Sequence, residues 1–251
     1  MGSSLDYARG YTRSHRVYET VGILLATAAG GTLAVRLLQA PRVSGWWVPL
    51  TMLAGSLAAD FISGFVHWLF DTWGSTDTPV VGQLAIRTFR EHHTDAKAIT
   101  QHDFIETNGH NITLTILPSV GGCFALERGT FAATLLAMSL LFMTFFVSIT
   151  SQIHKWAHSS TPPLVVQWLQ RASLIIDARH HNRHHVAPHA THYCITSGWM
   201  NGPLRMVRFF ETLERAITLT TGARPRANEL PILPLVPEGG EIPPEGRAEA
   251  G

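Results

Sequence analysis

The sequence predicts an all-α integral membrane protein, a helical bundle of about four spans with a cytoplasmic histidine-rich cap and interfacial helices. Three observations predict this class. Hydrophobic residues make up 45% of the chain and charged residues only 15%, a balance that favours a membrane protein. Long apolar runs alternate with polar loops, and most of the 14 histidines fall within residues 92–110 and 154–192.

The apolar runs define the candidate spans. About 20 mainly apolar residues are needed to cross a hydrocarbon core about 30 Å thick. The candidate runs are residues 17–38, 46–70, 111–126 and 129–153. The third run is short and contains Pro118 and the pair Gly121-Gly122. We therefore expect it to be kinked, re-entrant or buried among the other spans.

The distribution of Lys and Arg predicts the orientation of the bundle. Short turns follow the first and third runs, whereas residues 71–110 and 154–251 form long polar loops. Of the 19 basic residues, only Arg36, Arg42 and Arg128 flank the short turns. Because Lys and Arg accumulate on the cytoplasmic side of membrane proteins, both long loops and both ends of the chain are predicted to be cytoplasmic.

The remaining segments are predicted from their composition. Residues 164–176 and 195–210 mix apolar residues with arginines and are too short or too polar to span, so they are predicted as helices in the membrane interface. From residue 224 to residue 251, Pro, Gly and Glu dominate, and this tail is predicted to be disordered. The folded domain is therefore predicted to cover residues 1–223.

Two classes of protein are disfavoured by composition. The net charge is +1 and no basic stripe is interleaved with aromatic residues, so nucleic acid is not an expected partner. The two cysteines, Cys123 and Cys194, lie in an apolar run and in a histidine-rich segment. A disulfide framework is therefore not expected.

The spacing of the histidines is typical of metal ligands. His154 and His158 lie four residues apart at the end of an apolar run, so both side chains share one face of a helix. The segment from His180 to His185 contains two adjacent pairs, whose members three and four residues apart also share a face. His67 and Asp71 end the second run, and His92 and His93 are adjacent in the first long loop.

In the predicted topology, these groups offer about nine nitrogen donors on one side of the membrane. A catalytic zinc takes about three protein ligands and a structural zinc about four, so the surplus favours two metal ions. Neutral imidazole suits iron, zinc, copper and nickel, and the donors alone do not identify the metal. The intramembrane carboxylate of Asp60 is expected either to orient a histidine or to cap or hydrogen-bond another helix.

Five longer strings carry a resemblance to a known family. In chain order they are DFISGFVHWLFDTWGS, FREHHTDAKAITQHDFIETNG, QIHKWAH, HHNRHHVAPH and YCITSGWMNGPL, between Asp60 and Pro203. Together they resemble the plasmanylethanolamine desaturase family of membrane lipid desaturases. The resemblance implies these metal ligands: His67, Asp71, His92, His93, His102, His154, His158, His180, His181, His184, His185 and His189. Of these, all except His102, His180 and His189 are also expected to be catalytic.

The resemblance also implies a reaction. Such an enzyme uses O2 and two iron ions to convert a 1-O-alkyl ether phospholipid, plasmanylethanolamine, into its 1-O-alk-1′-enyl form, a plasmalogen. The chain has no dinucleotide fingerprint, cysteine cluster or haem attachment signature, so the electrons are expected from an external carrier of the cytochrome b5 or ferredoxin type. The expected location is a bacterial inner membrane or the endoplasmic reticulum, with the histidine site facing the cytoplasm.

Three alternatives stay open from the residues alone. A di-iron lipid hydroxylase would use the same ligands and differ only in the fate of the oxidised carbon. A zinc-dependent membrane hydrolase would need a single zinc and no iron. A metal transporter would place ionisable residues on both sides of the membrane midplane, whereas here they cluster at one end.

Overall fold

Helices form all the regular structure in the part of the chain that the computed structural model describes, residues 11–40, 45–186 and 188–225. The helices are α1 (Arg13–Gln39), α2 (Trp47–Thr72), α3 (Arg87–Thr94), α4 (Phe104–Leu114), α5 (Ile116–Leu126), α6 (Phe131–His158), α7 (Leu164–Arg171), α8 (Ala178–His181), α9 (Asn201–Met206) and α10 (Phe209–Thr221). A π-helical turn, Gly82–Ile86, leads into α3, and a 3-10 turn, Ala98–Thr100, precedes α4. The predicted all-α class is confirmed. The predicted disordered tail is residues 224–251, and from residue 226 onward it lies outside the described residues.

Three of the helices, α1, α2 and α6, are long and apolar enough to cross a membrane by length and composition. The third predicted span is instead divided at Thr115 into α4 and α5, of eleven residues each. Pro118 explains the break, because it has no N–H to donate to the carbonyl of Leu114 one turn earlier. The number of spans and the cytoplasmic orientation stay predictions.

The broken pair α4–α5 runs beside α1 in the same direction. Thr113 lies against Gly22 near the start of α1, and Gly122 lies against Leu33 near its end. The pair runs opposite to α6, since Asn111 donates a hydrogen bond to Ser151 at 2.7 Å near the end of α6. After α2, the chain thus returns along the bundle through α4 and α5, and this return brings the start of α6 beside the start of α2.

Close packing sets the register of α2 and α6, which run parallel. Trp47 contacts Phe131 at the start of both helices, with ring centroids 5.3 Å apart. A Cβ atom at Gly55 would lie only 2.7 Å from the backbone N of Met143 and the backbone O of Ser139, so a glycine is needed where the backbones approach. Because the two parallel helices rise by the same distance per residue from these contacts, the histidines at their C-terminal ends lie side by side.

The C-terminal segment is held against α2 by Asp60. The carboxylate is fully buried and accepts hydrogen bonds from the backbone N–H groups of Thr196, Ser197 and Gly198 on Oδ1 and of Met200 on Oδ2, at 2.8–3.1 Å. Asp60 therefore anchors a loop to α2. The prediction that residues 195–210 form one interfacial helix is wrong, because residues 195–200 are non-helical and α9 begins only at Asn201.

Candidate metal centre

Four parts of the fold converge at one end of the bundle. The C-terminal ends of α2 and α6 bring His67, Asp71, His154 and His158. The last turn of α3 brings His92 and His93. Helix α8 and the turn after it bring His181, His184 and His185. All the residues predicted to be catalytic from the sequence thus lie in one place, in two adjacent groups.

The first group contains five histidines, whose ligand atoms all lie within 4.8 Å of one another: His92, His154, His158, His181 and His185. The Nε2 atom of His154 lies 3.0 Å from that of His92 and 2.8 Å from that of His181. The Nε2 atom of His181 lies 3.0 Å from that of His185. The group is therefore a compact cage of ring nitrogens.

The second group contains His67, Asp71, His93 and His184, also within 4.8 Å of one another. The Nε2 atoms of His93 and His184 are 2.9 Å apart. The Oδ2 atom of Asp71 lies 3.4 Å from the Nε2 atoms of His67 and His184 and 3.6 Å from that of His93. The two groups adjoin, since the rings of His67 and His154 have centroids 5.9 Å apart.

Hydrogen bonds among the rings do not account for these contacts. A neutral imidazole nitrogen carries either one proton or one lone pair, whereas the Nε2 atoms of His154 and His181 each approach two other ring nitrogens. Two nitrogens that bind one first-row metal at about 2.1 Å and at right angles are separated by about 3.0 Å. The observed separations of 2.8–3.0 Å fit shared metal ions.

Burial keeps the rings in the form that binds a metal. Desolvation, followed by the influence of neighbouring histidines, lowers the pKa of His93 to about 2 and that of His185 to about 3. The same causes hold the pKa of His92 and of His181 well below the ordinary value. These imidazoles are therefore neutral at pH 7, and their lone pairs are available to a metal.

Backbone carbonyl groups orient two of the rings. The Nδ1 atom of His67 donates to the carbonyl of Tyr193 at 3.1 Å, and that of His184 donates to the carbonyl of Thr191 at 2.9 Å. Each bond leaves the Nε2 lone pair directed into the second group, as is usual for metal-binding histidines. The Nε2 atoms of His67 and His158 are buried without a hydrogen-bond partner among the described residues, which also fits metal ligation.

Three predicted ligands lie outside both groups. The Nε2 atom of His102 faces Glu91 at 3.6 Å. His180 packs on Gly198 and lies 3.2 Å from the amide of Asn201. His189 stacks on His93 with centroids 4.8 Å apart. His15, His110 and His192, which the sequence left out of the site, are also outside both groups.

Sequence reasoning missed one contributor to the site and the bonding partner of a second. The carbonyls of Thr191 and Tyr193 act through the backbone, and a backbone carbonyl has no signature in residue type. Asp60 bonds a loop that lies 136 or more residues later in the chain. Residue spacing does not predict contacts over such a sequence separation. An odd carboxylate within an apolar run was the available sign for Asp60.

A cavity of about 410 Å³ adjoins the first group and is lined by His92 and His154. Its walls between α2, α4 and α6 are mostly apolar, with Ile62, Val66 and Val147 among them. Its other end is polar and is lined by residues of α1, α3 and α4. The cavity can therefore take an amphiphile whose alkyl chain passes the histidines.

Comparison with known proteins identifies the family. A family model described as a lipid desaturase domain matches residues 56–228. The chain is 46% identical to plasmanylethanolamine desaturase of Myxococcus xanthus over 226 residues, which cover 89% of this chain and 79% of the relative. It is 42% identical to plasmanylethanolamine desaturase 1 of Mus musculus, over 90% of this chain and 85% of the relative.

A more distant relative is fatty acid desaturase 4, chloroplastic, of Arabidopsis thaliana, 33% identical over 86% of this chain and 65% of that protein. No solved structure matches the chain. The region matched by the family model contains both histidine groups, and the resemblance predicted from the sequence strings is confirmed. The chain, a membrane protein with a histidine cluster able to bind metal, belongs to the lipid desaturase family.

Proposed function

We propose that this protein is a di-iron desaturase that converts the 1-O-alkyl chain of plasmanylethanolamine into the 1-O-alk-1′-enyl chain of a plasmalogen. The observation that carries the proposal is the pair of adjoining histidine groups beside a cavity with apolar walls. Relatives named plasmanylethanolamine desaturase are more similar to this chain than the relative named fatty acid desaturase 4. The substrate proposal takes its support from that difference.

The reaction removes two hydrogens from an unactivated alkyl chain, which no acid or base among the side chains can ionise. Its balance is –CH2–CH2– plus O2, two electrons and two protons, giving –CH=CH– and two molecules of water. Iron bound in the two groups would supply the oxidising power, drawn from O2, needed to break the two C–H bonds. The residues that would hold the iron are the nine of the two groups, with Asp71 as the carboxylate.

The rest of the chain positions the substrate. The walls at Ile62, Val66 and Val147 would hold the alkyl chain and exclude water from the reacting carbons. His92 and His154 both belong to the first group and line the cavity, so the chain would pass directly beside it. Two electrons per turnover would come from an external carrier of the cytochrome b5 or ferredoxin type, reaching the centre from the predicted cytoplasmic side.

Lipid analysis tests the proposal. Cells that contain 1-O-alkyl phospholipids but no plasmalogens should, on expressing this chain, gain acid-labile vinyl ethers detectable by mass spectrometry before and after mild acid. The variants His154→Ala and His184→Ala should abolish the product while still inserting into the membrane. The absence of vinyl ethers, when the wild-type protein is inserted in the membrane and contains iron, would refute the proposal. A hydroxylated ether lipid formed instead would identify a hydroxylase.

A second candidate is desaturation of a fatty acyl chain. It is favoured by the 33% identity to fatty acid desaturase 4, chloroplastic, of Arabidopsis thaliana. The same lipid analysis distinguishes the two functions, because an acyl-chain double bond survives mild acid and appears in the released fatty acids. A new acyl double bond without vinyl ethers would favour this second function.

A further inference from the structure

The end of the cavity remote from the apolar walls carries a concentration of carboxylates. Glu19 of α1, Glu91 of α3 and Glu106 of α4 all line it, and we call these three residues the acidic end. They come from three different helices, yet the fold directs them to one space. Since His92 lines the same cavity, the acidic end and the first histidine group share one ligand space.

The acidic end has more carboxylates than cations. Among Lys and Arg residues, Arg87 lines the cavity, with Nη1 3.6 Å from Oε2 of Glu91. Arg16 instead pairs with Asp103. The remaining titratable groups that line this end are His15, His102, His110, Tyr11 and Tyr18. Three carboxylates against one guanidinium favour a ligand that carries a positive charge.

Some hydrogen-bonding capacity at the acidic end is not used by the part of the chain that the structure describes. Oε2 of Glu91 lies 3.6 Å from both Arg87 Nη1 and His102 Nε2 but is buried without a hydrogen bond among the described residues. The hydroxyl of Thr107 is also buried without a hydrogen bond there. Both residues are less than a tenth exposed and line the cavity. Glu19, by contrast, accepts a hydrogen bond from the Tyr11 hydroxyl at 2.6 Å. Buried polar groups are normally paired, so Glu91 and Thr107 indicate a polar ligand.

The chemistry of the reaction requires such a ligand close to the centre. The carbons that become a vinyl ether are the first two beyond the ether oxygen, only a few bonds from the glycerol and its phosphate. A substrate placed with these carbons at the histidines therefore brings its headgroup to the same end of the bundle. A desaturase that acts in the middle of a chain would have no such requirement.

We propose, resting on the function proposed above, that the acidic end binds the phosphoethanolamine headgroup of the ether lipid. Glu91 and Glu106 accept hydrogen bonds from the primary ammonium, and Arg87 faces the phosphate. A primary ammonium has three N–H donors, whereas the trimethylammonium of choline has none and is larger. The acidic end is therefore a determinant of headgroup specificity, selecting ethanolamine over choline.

Glu106→Gln tests the proposal, because it removes one charge at nearly constant size. With iron-loaded protein, the kcat/KM for plasmanylethanolamine should fall about tenfold, the typical effect of losing a hydrogen bond between charged groups. The kcat/KM for plasmanylcholine should change less than about twofold, so the preference collapses. Glu127→Gln is the matched control, since Glu127 is exposed and pairs with Arg36 at the opposite end of α1. An unchanged preference in Glu106→Gln at wild-type iron content would overturn the proposal.

A binding measurement separates this proposal from the function on which it rests. Titration calorimetry of iron-free protein with soluble 1-O-hexyl phosphoethanolamine and 1-O-hexyl phosphocholine lipids should show preference for the former, reduced about tenfold by Glu106→Gln. Equal affinity of the wild-type protein for both lipids would refute the headgroup site. Preserved selectivity in binding without any vinyl ether product would refute the function and leave the headgroup site standing.

Discussion

We predict that Asp60 positions the candidate metal centre without contacting it. Its carboxylate holds the backbone of residues 196–200 against α2. The segment just before this loop supplies the carbonyls that orient His67 and His184. Asp60→Asn should therefore loosen this segment, disorder both rings and lower iron occupancy, although no ligand is removed.

The size of the effect follows from the hydrogen bonds. The asparagine oxygen can keep the three N–H groups on Oδ1, but each loses its charged acceptor, which is worth about 1 kcal/mol per bond. The asparagine NH2 group then faces the N–H of Met200, and the unpaired buried donor costs about 1–3 kcal/mol. Burying an amide rather than a carboxylate offsets part of this loss. We expect a net destabilisation of about 2–4 kcal/mol.

Purified protein gives the assay. Asp60→Asn should lower the thermal unfolding temperature by about 5–10 °C and reduce iron per chain, measured by plasma mass spectrometry. Asp77→Asn is the control, because Asp77 is exposed on the loop after α2 and its substitution should change stability by less than about 0.5 kcal/mol. Wild-type unfolding temperature and iron content in Asp60→Asn would refute the positioning role of this residue.

Two further predictions concern packing and ligation. Gly55→Ala should destabilise the fold by about 1–3 kcal/mol through overpacking between α2 and α6. Gly121→Ala is the control and should be neutral or stabilising, because a Cβ atom there meets nothing within 4 Å. Equal thermal unfolding temperatures of the two variants would contradict the close approach of α2 and α6. His158→Leu should keep or raise the stability of the iron-free protein, since its buried Nε2 has no hydrogen-bond partner in the described structure, but should lower iron content and activity. His192→Asn is the control, because His192 lies outside both groups and at a positive φ that asparagine tolerates; it should retain both iron and activity. Full iron content in His158→Leu would contradict ligation by His158.

The sequence predicted the site well where helical periodicity applies. His154 and His158 share a face because they lie four residues apart, and His67 and Asp71 do so for the same reason. Adjacent histidines were less tractable, because neighbours on a helix diverge by about 100°. Of the pair on α8, His181 faces the centre and His180 faces Asn201, a choice that the packing of the loop after Cys194 decides.

The fold was predictable to the extent that hydropathy sets it. Long apolar runs predicted α1, α2 and α6, and Pro118 indicated that the third run would not be a regular helix. The loop at residues 195–200 was mistaken for a helix because residues 195–210 as a whole mix apolar residues with arginines, as interfacial helices do. Its backbone instead donates to Asp60 on a distant helix, and such tertiary hydrogen bonds override local propensity.

Iron content tests the central claim most directly, since two adjoining donor groups should hold two metal ions. Protein purified without chelators, quantified by amino-acid analysis and shown to form vinyl ethers, should contain about two iron atoms per chain by plasma mass spectrometry. Loss of activity on chelation and its return with ferrous iron, but not with zinc, should accompany this value. A fully active preparation with one metal atom per chain or fewer, or with zinc in place of iron, would contradict the account.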